Sequence, residues 1–100
     1  MKYIDKVKAS IDIAEAIKAL KDKESLRVTY GKDYKGNPKE YSIYAYNDYR
    51  DEVSYAIRSN ALSSMNIDTV TATTMKAYSY DMMSQRTNYS FPLYELKLIK

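Results

Sequence analysis

One hundred residues, 45% apolar and 29% charged, suffice for one domain with a single small core and lie far from the composition of disordered chains. With no histidine and no cysteine, a Ser-His-Asp triad, a histidine base, histidine or thiolate metal ligation and any disulfide are excluded, and two glycines cannot build a phosphate-cradling loop. The charge of +3 is uneven: ten bases against six acids over 1–39, two against four over 40–65, and four against three over 66–100, which is not the clustered footprint of a nucleic-acid binder.

Ile13, Ala16, Ile17 and Leu20 recur at helical spacing, and Asp12 with Glu15 has the form of a capping box, so residues 11–23 are expected to be helical. The preceding segment satisfies both periods. Helix is favoured from about Ile4, with a break near Ser10.

"SLRVTY" alternates Leu26, Val28 and Tyr30 against Arg27 and Thr29, the pattern of a half-buried strand. "GKDYKGNP" is its turn, since Gly31 and Gly36 tolerate positive φ and Pro38 holds Asn37 extended. The next strand, "KEYSIYAYN", sets Tyr41, Ile43 and Ala45 on one face and Ser42, Tyr44 and Tyr46 on the other.

From Asp48 the period changes. Val53, Ala56, Ile57, Asn60 and Ala61 follow helical spacing, with Asp48, Asp51 and Glu52 where a helix N-terminus favours acids, which predicts a second helix over about 49–64. "TVTATTMKAYSY" then reads as a third strand. "SFPLYELKLIK" reads as a fourth, alternating Tyr94, Leu96 and Leu98, and "DMMSQRTN" joins the two.

The expected fold is one α+β domain spanning 1–100. It is a two-layer sandwich, order αββαββ, with a four-stranded antiparallel sheet and two helices on one face. Ile43, Val53 and Ile57 should then face the core, and at least two of Tyr44, Tyr46 and Tyr49 should be exposed, with Tyr78 or Tyr80 sharing their open sheet face. Cross-strand aromatic pairing would account for such rings without a ligand. A protein interface is the functional reading, because tyrosine combines large area with a polar tip.

"AIKALKDKESLRVTYGKDYKGNPKEYSIYAY", with "MKAYSY" and Arg86, resembles the opening and closing strands of WYL domains, small Sm-like barrels of bacterial regulators. That resemblance implies sensing of a ligand or nucleic acid. The predicted helix between the two segments and the long tail after Arg86 depart from its pattern.

No stretch is apolar enough to span a membrane, and Met1 to Lys8 carries charges where a secretory segment would be uninterrupted, so a cytoplasmic location is expected. Free-standing domains without catalytic residues are common among phage and mobile-element proteins. The Lys, Tyr, Asn, Ile and Asp usage here also suits an A+T-rich genome. The expected function is therefore a non-enzymatic, cofactor-free and metal-free protein-binding module, a phage or mobile-element inhibitor of a host defence or other host protein. It would act by steric occlusion in the anti-restriction or anti-CRISPR manner, with a homodimer left open. Its docking residues are Tyr44, Tyr46, Tyr49, Asp48, Asp51 and Glu52, the acids serving to mimic phosphate or steer toward a basic groove. The alternative is a domain that binds single-stranded nucleic acid or a small ligand through Arg27, Lys35, Lys39, Tyr44, Tyr46, Lys76 and Tyr78, bases stacking on the rings while cations meet phosphate.

Overall fold

The computed structural model describes residues 2–59 and 64–99. These residues form one helix and seven strands: α1 (Lys2–Lys18), β1 (Ser25–Lys32), β2 (Pro38–Asn47), β3 (Val53–Ser59), β4 (Met65–Val70), β5 (Thr74–Tyr80), β6 (Arg86–Pro92), a 3₁₀ turn (Leu93–Glu95) and β7 (Lys97–Leu98). The strands form one antiparallel sheet in the order β6-β5-β4-β3-β2-β1-β7, curled into a half-barrel.

This overturns the expected four-stranded αββαββ sandwich with two helices. Helix α1 is continuous from Lys2, without a break at Ser10, whose buried hydroxyl donates to the Lys6 carbonyl one turn back at 2.9 Å. Asp12 lies in mid-helix, so it caps nothing, and the helix stops at Lys18 rather than 23. The predicted second helix is instead a hairpin loop followed by β3; Asn60 and Ala61, assigned to that helix, lie outside the described residues. Val53, expected in the core, is 46% exposed.

The remaining differences are in the C-terminal half. "TVTATTMKAYSY" breaks into β4 and β5 because Thr71 builds a turn, its Oγ1 accepting from the Thr74 amide at 3.0 Å. "SFPLYELKLIK" is not one alternating strand either. Leu93 and Leu96, three residues apart, are both buried across a 3₁₀ turn, whereas Tyr94 and Leu98 are exposed.

The core forms on the concave face. Ile13, Ala14 and Ile17 of α1 pack with Val28, Tyr41, Ile43, Ile57, Met75, Phe91, Leu93 and Leu96. Tyr55 closes one end of this contact, its hydroxyl donating at 3.1 Å to the Lys18 carbonyl, which the helix itself leaves unpaired. Phe91 meets Tyr30 and Tyr41 edge to face across the curl, and the two tyrosines tilt against each other, with centroids 5.3–6.4 Å apart. Burial, together with the nearby Glu95 carboxylate, pushes the Tyr30 hydroxyl above its ordinary pKa.

Three hairpin loops share one construction. Asp33, Asp48 and Asp81 each begin a five-residue loop, in which one carboxylate oxygen accepts the amides two and four residues later at 2.8–3.0 Å. The fourth residue takes positive φ in every case: Gly36, Asp51 and Ser84. Backbone bonds between the first and fifth residues then lead into the flanking strands.

Candidate interaction site

Among the described residues the convex sheet face carries no helix, and strand register decides what it shows. Tyr44 of β2 stands opposite Ala56 of β3, Ala56 opposite Asn66 of β4, Asn66 opposite Tyr78 of β5, and Tyr78 opposite Asn88 of β6. Tyr46 and Tyr80 share this face two residues along their strands, so four tyrosines lie on the side away from α1. Roughly 14 Å, three strand spacings, separates the Tyr44 and Tyr78 backbones in this row.

Ala56 makes the first pair possible. It is buried although it points away from the core, because the two β2 rings lean over its methyl group toward β4. Tyr44 donates its hydroxyl to the Ser64 hydroxyl at 2.9 Å and Tyr46 to the Asn66 side-chain Oδ1 at 3.3 Å. Their rings lie 6.1 Å apart, and the Arg58 guanidinium sits 5.9 Å from the Tyr44 centroid.

The second pair is more open. Tyr78 and Tyr80 meet edge to face at 5.7 Å, and Tyr80 is 56% exposed. Arg86 lies 4.0 Å over the Tyr78 ring, held in place by Asn88, which accepts from its Nε at 2.8 Å, and by Asp68 at 3.6 Å. One flat side of the guanidinium is thus covered by tyrosine.

The structure separates the residues singled out from sequence. Tyr44, Tyr46, Tyr78, Arg27 and Lys76 come together on the convex face, with Arg27 paired to Glu40 at 3.3 Å. Lys39 points to the opposite face, its Nζ 6.0 Å from the Tyr41 centroid, and Lys35 lies in the first aspartate loop near Tyr34. Asp48, Tyr49, Asp51 and Glu52 occupy the second loop, so the expected acidic helix start does not exist.

In that loop the acids are already engaged. Asp48 accepts the amide of Glu52, then that of Arg50 and the Ser54 hydroxyl, and these bonds, the Glu52 amide foremost, hold its carboxyl below the ordinary carboxylate range. Asp51 accepts from the Asn47 side chain at 2.8 Å. Tyr49 is 89% exposed, but Tyr44 and Tyr46 are partly buried, one fewer open ring than the expected two.

Sequence reasoning missed Arg58 and Arg86, the cations that sit on the rings, and grouped Tyr80 with them only as an option. Arg58 was hidden inside the supposed helix. Its signal was register: once β3 is a strand, Arg58 stands opposite Ser42 on the tyrosine side.

Two open hollows of about 330 and 550 Å³ flank β5 and β6 and share Tyr89, but hydroxyls, amides and single charges line them. No group of three Asp or Glu side chains able to hold a metal occurs among the described residues, and no described helix is long and apolar enough to cross a membrane. No family model, curated protein or solved structure matches this chain, so the likeness to WYL domains carries no part of the functional argument.

Proposed function

We propose that this protein is a non-enzymatic binding module that docks a host or cognate protein on the convex face of its sheet and acts by steric occlusion. One observation carries the reading: Tyr44, Tyr46, Tyr78 and Tyr80 gather on a face that no other described element covers, with Arg86 stacked on the Tyr78 ring and Arg58 near the Tyr44 ring. Tyrosine and arginine are the residues that anchor protein interfaces. Prior ordering of the rings lowers the entropy lost on docking, because the Tyr44 and Tyr46 hydroxyls and the Arg86 fork are fixed beforehand. An inhibitor of a host process, as phage and mobile elements carry, is the form of activity that needs nothing more than such a surface.

Charge supports a protein over a nucleic acid. Glu40 and Asp68 pair with Arg27 and Arg86, while Arg58 and Lys76, with Lys32 and Lys97 toward the β1 edge, have no ion pair among the described residues. Phosphate contacts dominate nucleic-acid affinity, and on this face of the strands from β2 to β6, where the tyrosines lie, only Arg58 and Lys76 are without an ion pair among the described residues. The second reading, single-stranded nucleic acid, is favoured by one feature alone: a stacked Arg–Tyr pair such as Arg86 on Tyr78 also receives bases.

The test is a pull-down from host lysate, with and without nuclease, comparing the parent chain with an Arg58→Ala/Tyr80→Ala variant. A defined protein is expected to survive nuclease and to be lost with the variant at unchanged melting temperature. Loss on nuclease treatment, with submicromolar and strongly salt-dependent oligonucleotide binding, would install the second reading instead.

A further inference from the structure

We infer that the free edge of β6 pairs antiparallel with the β6 edge of a second copy of this chain, joining two half-barrels into one continuous sheet. Among the described residues β6 pairs with β5 alone, while the opposite sheet edge is partly covered by β7. All residues from 80 to 90 are exposed. Natural edge strands are kept from pairing by charged side chains, proline, bulges, shortness or cover; β6 has its one charge, Arg86, and its one proline, Pro92, only at its two ends, is seven residues long, and pairs regularly with β5 throughout.

The occupant follows from the sequence of the strand itself. Antiparallel pairing about Tyr89 sets Tyr89 against Tyr89, Asn88 against Ser90, Thr87 against Phe91 and Arg86 against Pro92. The two Arg86 side chains then stand roughly 20 Å apart along the strands, beyond the screening length at physiological salt, whereas parallel pairing would place them side by side. The two half-exposed Tyr89 rings become direct cross-strand neighbours on one face. Beyond Arg86, the loop of each copy reaches the level of the other's 3₁₀ turn. The exposed Met82 and Met83 thereby meet the level of the exposed Tyr94.

A two-fold axis perpendicular to the sheet keeps like faces together, so the two tyrosine faces become one surface. This goes beyond the docking reading, which needs only one copy.

The absence of cysteine gives a direct test. Tyr89→Cys is expected to form a covalent dimer under mild oxidation, at least tenfold faster than Tyr34→Cys, which is equally free to collide but remote from the axis. Sedimentation of the parent chain is expected to show a dimer that Tyr89→Lys converts to monomer with its circular dichroism unchanged. A parent chain that stays monomeric to millimolar concentration, or dimers in which the Tyr89→Cys advantage is missing, would overturn the proposal. A monomer that still loses its partner through Arg58→Ala/Tyr80→Ala leaves the docking reading standing and removes this one.

Discussion

Tyr41 and Tyr89 are the same residue on the same sheet face, yet one is 7% exposed and the other 42%. Tyr41 sits in β2, with β1 and β3 on either side, and it meets Tyr30 and Phe91. Tyr89 sits on the edge strand, two residues before Phe91, where the described core ends. A tyrosine therefore becomes core or surface according to its neighbours in the sheet. The inner half of the molecule spends its rings on stability, and the outer half keeps them available for contact.

Substitution tests this contrast most sharply at the two ends. Tyr41→Ala should cost about 3–5 kcal/mol in chemical denaturation, through lost transfer and an aromatic-sized cavity. A cost below about 1 kcal/mol would mean that the aromatic contact across the curl is not part of the cooperative core.

A smaller effect should appear in acid at the end of β2. The Asp48 carboxyl titrates below its ordinary range, because two amides and Ser54 bond to its charged form. A depressed folded-state pKa contributes stability that is present above the unfolded value, about 4, and is lost as pH falls through the folded one. Asp48→Asn keeps an acceptor oxygen for the loop but removes this charge. Its melting temperature should fall less than that of the parent between pH 4 and 2, and equal slopes would show that the loop bonds do not select the ionised form.

The smallest effect is expected on the edge strand. Tyr89→Ala, measured at a concentration dilute enough to keep the chain monomeric, should change stability by no more than about 0.5 kcal/mol. A cost rivalling that of Tyr41→Ala would place Tyr89 in the core and erase the contrast.

The first half of this architecture is legible in the sequence, for identifiable reasons. Gly31, Gly36 and Pro38 mark one hairpin, and strict alternation assigns Val28, Tyr41 and Ile43 to the core. The convex placement of Tyr44 and Tyr46 follows from the same alternation. Beyond Asn47 the reading fails, because β3 is a central strand buried on both faces: Ile57 lies in the core and Ala56 beneath the outer tyrosines. Burial on both sides erases the period of two, and Val53, Ala56 and Ile57 then imitate a helix. The turn that contradicts a helix was also concealed. Asp51 and Ser84 take the left-handed position that glycine holds in the first loop, so the recurrence of aspartate four residues ahead of Asn37, Glu52 or Gln85 was the usable signal.

The short β7 strand has a consequence for how the chain reaches this state. Every other ladder joins neighbours in sequence, whereas Val28 with Leu98 and Thr29 with Lys97 close a loop of about seventy residues. Closing so long a loop costs entropy before its few bonds repay it, so this contact belongs after the barrier, once the hairpins stand. Leu93 and Leu96 supply the compensation by burying beside α1 as the chain crosses from β6 to β1. The C-terminal segment is thus expected to govern the unfolding rate, and the hairpins the folding rate.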